Sequence, residues 1–207
     1  MFSSELAGLN EETAPVSLEF TNTVRWHASR HPEETLHSYA DLVTWAAGVG
    51  LVSGAQARRL MKQAQAQSEA ARRVLDRAVR LREAIYGIFT AVIHEKRIQT
   101  ADLRQLNAVL NKMGEGARIK ATRAGFVWAW ETDRDDLDSF LDQIALSAAN
   151  LLLSEKRQWV GQCADDRGCG WLFLDISKNH SRRWCDMNDC GNRAKQRRLK
   201  ERRQRTA

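Results

Sequence analysis

The sequence has no cysteine before residue 163 and only two prolines in 207 residues. No run approaches about 18 consecutive apolar residues, which argues against a membrane-spanning helix. The opening residues, Met1-Phe2-Ser3-Ser4-Glu5, lack a basic start and an apolar core. No secretory signal peptide is expected there, and the chain reads as cytoplasmic. There is no glycine-rich phosphate loop, no G-x-S-x-G, and no H-x-E motif near the cysteines, the His31-Pro32-Glu33 run lying far upstream of them. Each of these absences removes the usual signature of a class of catalysis. His27 and His31 stand four residues apart, but the glutamate of a zinc-protease helix is missing and Pro32 follows at once. The sequence reads as a protein that is not an enzyme.

What is present is concentrated at the end of the chain. Cys163, Cys169, Cys185 and Cys190 are the only cysteines, spaced C-x5-C, fifteen residues, then C-x4-C. Thiolates at such spacing can converge on one tetrahedral Zn2+, closed to solvent and therefore structural. Four soft ligands suit zinc best, with an iron centre as the alternative. A pair of disulfides is the weaker reading for a chain without an export signal. The first spacing is wider than a usual knuckle, which keeps His180 open as a substitute ligand.

The neighbours of the cysteines suit a small metal-bound fold. Gly168 and Gly170 flank Cys169 and free the backbone for a tight turn. Trp171-Leu172-Phe173-Leu174 reads as a short strand, and Ser177, Lys178 and Asn179 as a turn. Asn192 is the expected N-cap of a final basic helix, with the last thiolates near its positive end. Knuckle, hairpin, then knuckle at a helix start is a treble-clef-like order.

The run from Cys169 to Lys195, with its SRRWC segment and Cys190-Gly191-Asn192-Arg193, resembles the CGNR-type zinc finger of bacterial transcription regulators. The resemblance covers about residues 160–203. Ile176 stands where that family would have a basic residue. Leu18-Glu19-Phe20-Thr21-Asn22-Thr23-Val24 resembles the opening of the ABATE domain, which precedes this finger and is linked to stress-induced transcription regulation. That part of the resemblance spans roughly residues 12–155.

Charge is split along the chain. The sequence carries +6 overall, but residues 178–207 hold eleven Lys/Arg and three Asp/Glu, net +8, leaving −2 for residues 1–177. A local excess of this kind favours a docking surface over general solubility. From Arg193 onward, Arg193, Arg197 and Lys200 share one helical face, and Lys195, Arg198, Arg202 and Arg205 nearly the opposite one. Leu199 is the one large apolar residue. An Arg-rich helix fixed by a metal can neutralise phosphates and enter a groove of duplex DNA. Arg182, Arg183, Arg193, Lys195, Arg197 and Arg198 are the candidate DNA-contacting residues. A solvated tail without a specific partner is the alternative.

Upstream, the periodicity predicts helices. Val16, Leu18 and Phe20 fit either a strand or a first helical turn. A helix is expected from Ser38 to Gly48, and another after Ser53, where Gln56 completes a capping-box spacing. A long stripe runs from Val74 to Val92, and a polar face around residues 65–68 divides the proline-free stretch from Ser53 to about Lys96 into two helices. Thr100 caps a helix with Leu103, Leu106, Val109 and Leu110 inward. Arg118–Thr122 and Phe126–Trp130 flank a glycine-containing loop as a β-hairpin. Trp128 and Trp130 either roof the helices or wall a pocket. The last helix of this part is expected from about Asp135 to Glu155, with Asp135, Asp136 and Asp138 suiting its dipole.

The expected fold is α+β, mostly α: a helical N-terminal domain with a β-hairpin, residues 12–158, then a small treble-clef-like zinc-binding module, residues 159–207. No Gly/Ser/Pro spacer separates them, so docking is expected. The expected function is DNA-binding transcription regulation, with one structural Zn2+ per chain and double-stranded DNA as partner. A small-molecule effector near Asn22, Trp26, Arg82 and Trp128, and a second copy of the chain, are further candidate partners. An RNA-binding module and a zinc-stapled protein-interaction adaptor are the alternative functions.

Overall fold

The computed structural model describes residues 15–114, 117–122, 125–130 and 136–205. Helix α1 spans Val16–Thr21. Val16, Leu18 and Phe20 therefore resolve as a helical turn, not a strand, and Leu18 and Phe20 are fully buried. A two-residue antiparallel pair follows, β1 (Val24–Arg25) with β2 (Glu33–Glu34). It was not legible in the sequence.

Helix α2 (Tyr39–Gly48) begins at Ser38, whose hydroxyl accepts from the Asp41 amide while Asp41 reaches back to the Ser38 amide. Helix α3 (Gly54–Ala66) begins with the same reciprocal pairing between Ser53 and Gln56. Each box satisfies two orphan donors of a helix start. The polar break falls where expected, and α4 (Ser68–Ile93) runs as the long central helix. Its Val74, Ala78, Leu81, Ile85, Ile88 and Phe89 are buried along one stripe.

Helix α5 (Thr100–Gly114) packs on α4. Leu106 is buried, but Leu103, one turn earlier on the same face, is 38% exposed. The hairpin joins β3 (Ala117–Thr122) to β4 (Gly125–Trp130), with Ile119 opposite Trp128. Its loop and the side chains of Trp128 and Trp130 lie outside the described residues. Helix α6 (Leu141–Leu153) starts later than expected. Residues 137–140 form turns in which Leu137 and Phe140 are buried. Asp138 is drawn away from a capping role: its carboxylate accepts from Arg77 at 2.6 Å and Lys112 at 2.9 Å. Asp135 lies outside the described residues.

After a 3-10 turn at Glu155–Trp159, β5 (Val160–Gln162) pairs antiparallel with β6 (Leu172–Leu174). The chain ends in α7 (Asn192–Arg205). Val160, Leu172 and Leu174 belong to the same buried cluster as Leu18, Phe20 and Ile144. The C-terminal module thus shares its apolar base with the helical part. None of the described helices is long and apolar enough to cross a membrane.

Candidate metal centre and basic helix

Cys163 follows β5 and Cys169 precedes β6, so the first two thiols sit on the loop between paired strands. Gly168 and Gly170 have φ of +88° and +70°, in the region that favours glycine. They also permit a close approach. A methyl at Gly168 would lie 2.6 Å from Ser29 Cα, and one at Gly170 would lie 2.6 Å from Ala28 N and 2.8 Å from Tyr86 Oη.

The second pair is delivered by a helix start. A π-helical turn spans Met187–Gly191, and the Asp186 carboxylate caps it by accepting from the Asn188 amide at 2.6 Å. Asn192, expected as the cap, is instead within the helix with φ −63° and ψ −42°. The helical path begins six residues earlier than the sequence indicated, because Asp186 rather than Asn192 supplies the capping oxygen. Cys190 therefore lies inside the first turns, where the dipole favours negative charge.

The four sulfurs lie within 4.8 Å of one another. Cys169 Sγ is 3.7 Å from Cys185 Sγ, and Cys185 Sγ is 3.6 Å from Cys190 Sγ. A tetrahedron with Zn–S of about 2.3 Å has edges near 3.8 Å, so the spacing fits one zinc. These contacts are far too long for S–S bonds, and all four cysteines are free. His180 is occupied elsewhere: its Nδ1 meets the Asp175 carbonyl at 2.8 Å and its ring stacks on Trp159.

The thiols of the cluster are shifted in opposite directions by one another. Cys163 is held well below the ordinary thiol range by hydrogen bonds from Cys169 and Cys185, then by the Cys185 and Asp165 amides. Cys185 is pushed far up by its bonding to Cys163, and Cys190 is pushed up to about 12, chiefly by burial. Zinc is bound by thiolates, so metal binding releases the protons that these thiols carry.

The candidate DNA-contacting residues divide into two groups. Arg193 Nη2 donates to Cys190 Sγ at 2.9 Å, and the same guanidinium meets Asp189 and the buried Asp165. Arg197 pairs with Asp166 at 2.5 Å and approaches Asp165 at 3.5 Å. Arg182 donates to the Trp184 and Cys185 carbonyls and lies over the Phe173 ring. In contrast, Lys195 and Arg198 are exposed. Arg183 is exposed as well, its guanidinium 5.3 Å from the Trp184 ring. Ile176 is also exposed.

Asn22, Trp26 and Arg82 are each engaged in contacts within the protein, and the Trp128 side chain lies outside the described residues. Asn22 pairs with the Leu172 backbone, and Trp26 packs beside the cysteines with Arg167 and Arg193 over its ring. Arg82 is almost wholly buried, with its guanidinium against Glu34 at 2.6 Å, Glu83 at 2.9 Å and the Thr23 hydroxyl at 3.1 Å. Sequence reasoning missed Asp165, Glu34 and Glu83. No local motif announces them, because each finds its partner through the fold.

A helical body with a four-thiol, helix-started module at its end defines a zinc-finger protein. Comparison with protein families bears this out. Residues 14–155 match the ABATE family, described as a "Putative stress-induced transcription regulator", and residues 160–203 match the CGNR zinc finger. The chain belongs to the ABATE family and carries one structural zinc in its C-terminal finger. No curated protein matches it.

Proposed function

We propose that the chain is a cytoplasmic DNA-binding transcription regulator whose zinc-held C-terminal module, residues 159–207, meets duplex DNA. Transcription regulation is the role ascribed to the family that residues 14–155 match. The observation that carries DNA contact is α7: a basic helix begun beside the four thiols, in a segment of net +8. A helix charged on every side has no core of its own to join, and its charge suits a phosphate backbone. The four cysteines are the zinc ligands in this reading. Zinc closed by four thiolates has a structural role and no open position for a reacting water. Asn22, Trp26 and Arg82 are engaged in internal contacts, so no effector is assigned to them in this reading.

Competition binding tests the reading. Full-length, zinc-loaded protein is titrated with labelled duplex DNA against unlabelled duplex, single-stranded RNA and heparin. Preferential competition by duplex, with affinity falling steeply with salt, is expected. Equal displacement by all three polyanions would leave an adaptor with a generic basic tail.

A further inference from the structure

Helix α7 presents two sides in different electrostatic states. Successive residues turn by roughly 100°, so Arg193 and Arg197 share one side and Lys195 and Arg198 lie near the other. The first side is neutralised within the protein. The Asp165 side chain is fully enclosed, 3.3 Å from Arg193 Nε and 3.5 Å from Arg197 Nη2. Arg197 meets Asp166 as well, and Arg193 meets the Cys190 sulfur and Asp189. Trp26, from the helical part, packs beside the cysteines and meets this cluster. Its ring lies 5.3 Å from the Arg193 guanidinium and 5.0 Å from that of Arg167. Trp26 has φ of +53°. A bulky residue persists in that region only when its surroundings over-determine it. Lys195 and Arg198, on the other side, have no partner among the described residues.

We propose that Arg193 and Arg197 are positioning residues, both anchored by Asp165, with Trp26 against Arg193 and Asp166 against Arg197, and that Lys195 and Arg198 are the cations that meet DNA phosphates. The proposal rests on the DNA-binding reading above and assigns the residues within it. A guanidinium already matched by an enclosed carboxylate is not free to neutralise a phosphate. A lysine or arginine open to water is, and each phosphate it neutralises releases counterions condensed on the DNA, which sets the salt dependence. Because Trp26 and Asp165 come from separate stretches of the chain, the direction of α7 is set jointly by the helical body and the finger.

The test compares affinity with its salt slope in full-length protein, with zinc content measured for every variant. Lys195→Ala and Arg198→Ala are each expected to lower the log affinity–log salt slope by roughly one unit. Asp166→Asn is expected to weaken duplex binding several-fold at every salt concentration while leaving the slope unchanged. Asp165→Asn should do the same more strongly. Arg197→Ala should weaken binding without a slope change, and Arg197→Lys should recover most of the affinity. Simple long-range electrostatics demands the opposite sign: removing a carboxylate beside the helix would tighten binding. Asp166 is exposed, so its variant keeps the test available where Asp165→Asn loses zinc. Tighter binding by Asp166→Asn, or a slope loss at Arg197 equal to that at Lys195, overturns the assignment alone. No duplex binding by the wild-type protein overturns the DNA reading and this assignment with it.

Discussion

Asn22 pairs with the backbone of Leu172 as a neighbouring strand would: its Nδ2 donates to the Leu172 carbonyl and its Oδ1 accepts from the Leu172 amide, each at 2.9 Å. The two residues are 150 positions apart. Leu172 is almost wholly buried, so both of its backbone groups depend on this one side chain for a partner in that direction. The pairing fastens the end of α1 to the strand that follows the second cysteine.

Replacing Asn22 with Ala removes both bonds and strands two buried backbone groups. Each net bond is worth about 1 kcal/mol, and each stranded group costs more. A loss of about 2–3 kcal/mol in unfolding free energy is expected by urea titration. Asn22→Asp should recover little of it at neutral pH, because a carboxylate accepts from the amide but opposes the carbonyl. Wild-type stability in either variant would show the pairing to be dispensable.

Gly170→Ala is expected to damage the same junction from the other side. Its φ of +70° disfavours a side chain by about 1 kcal/mol. The added methyl would also meet Ala28 N at 2.6 Å and Tyr86 Oη at 2.8 Å. Backbone cannot yield there without breaking the bonds from the His27 amide to the Cys169 carbonyl and from the Ala28 amide to the Gly168 carbonyl. Hydrogen exchange should show faster exchange at His27 and Ala28. Unchanged protection at both amides would mean that the loop can shift at little cost.

What was legible in the sequence was local or compositional. The Ser53–Gln56 box, the break before Ser68 and the four cysteines all act through neighbours in sequence or through residue type alone. The hairpin's alternation likewise fixed its strands. The start of α6 was misplaced because three aspartates read as dipole partners, whereas Asp138 is claimed by Arg77 and Lys112 from two other helices. Asn192 read as a cap because the Asp186 turn depends on a π-helical path that periodicity does not reveal. Glu34 and Arg82 are 48 residues apart, and nothing near either one signals the other. The glycines beside Cys169 were readable as knuckle residues, but not as the points where segment 28–29 comes against the finger.

Arg82 should govern part of the acid sensitivity of the fold. Burial alone would raise the pKa of Glu34; hydrogen bonds from Arg82 and the Leu36 amide outweigh it and hold Glu34 below the ordinary glutamate range. A depressed folded pKa contributes stability above the unfolded value, lost as pH falls through the folded one. Unfolding free energy is therefore expected to decline below about pH 4, where free glutamates protonate. Arg82→Met should lower stability at neutral pH by about 2 kcal/mol, discounted because Glu34 reaches solvent. It should also flatten the decline on the acid side. An acid limb as steep in Arg82→Met as in the wild type would assign the pH dependence to other carboxylates.

Zinc removal should affect more than the finger. Val160, Leu172 and Leu174 lie in the apolar cluster that contains Leu18 and Phe20, and Asn22 pairs with the Leu172 backbone. The His27 amide donates to the carbonyl of Cys169 itself. Folding of the thiol cluster and docking of the helical part are thus linked through shared backbone and shared core, and metal binding is linked to both. Metal analysis should give one zinc per chain, and Cys185→Ser should lose it. Calorimetry of the zinc-loaded protein should show one main transition, which chelation moves to lower temperature as a whole. Zinc retention against a fixed chelator should weaken as pH falls, because protons compete for Cys169, Cys185 and Cys190, whose thiols are held above their ordinary range when metal is absent. If chelation melts a small separate transition and leaves the helical unfolding temperature where it was, the finger is energetically independent of the body it rests on.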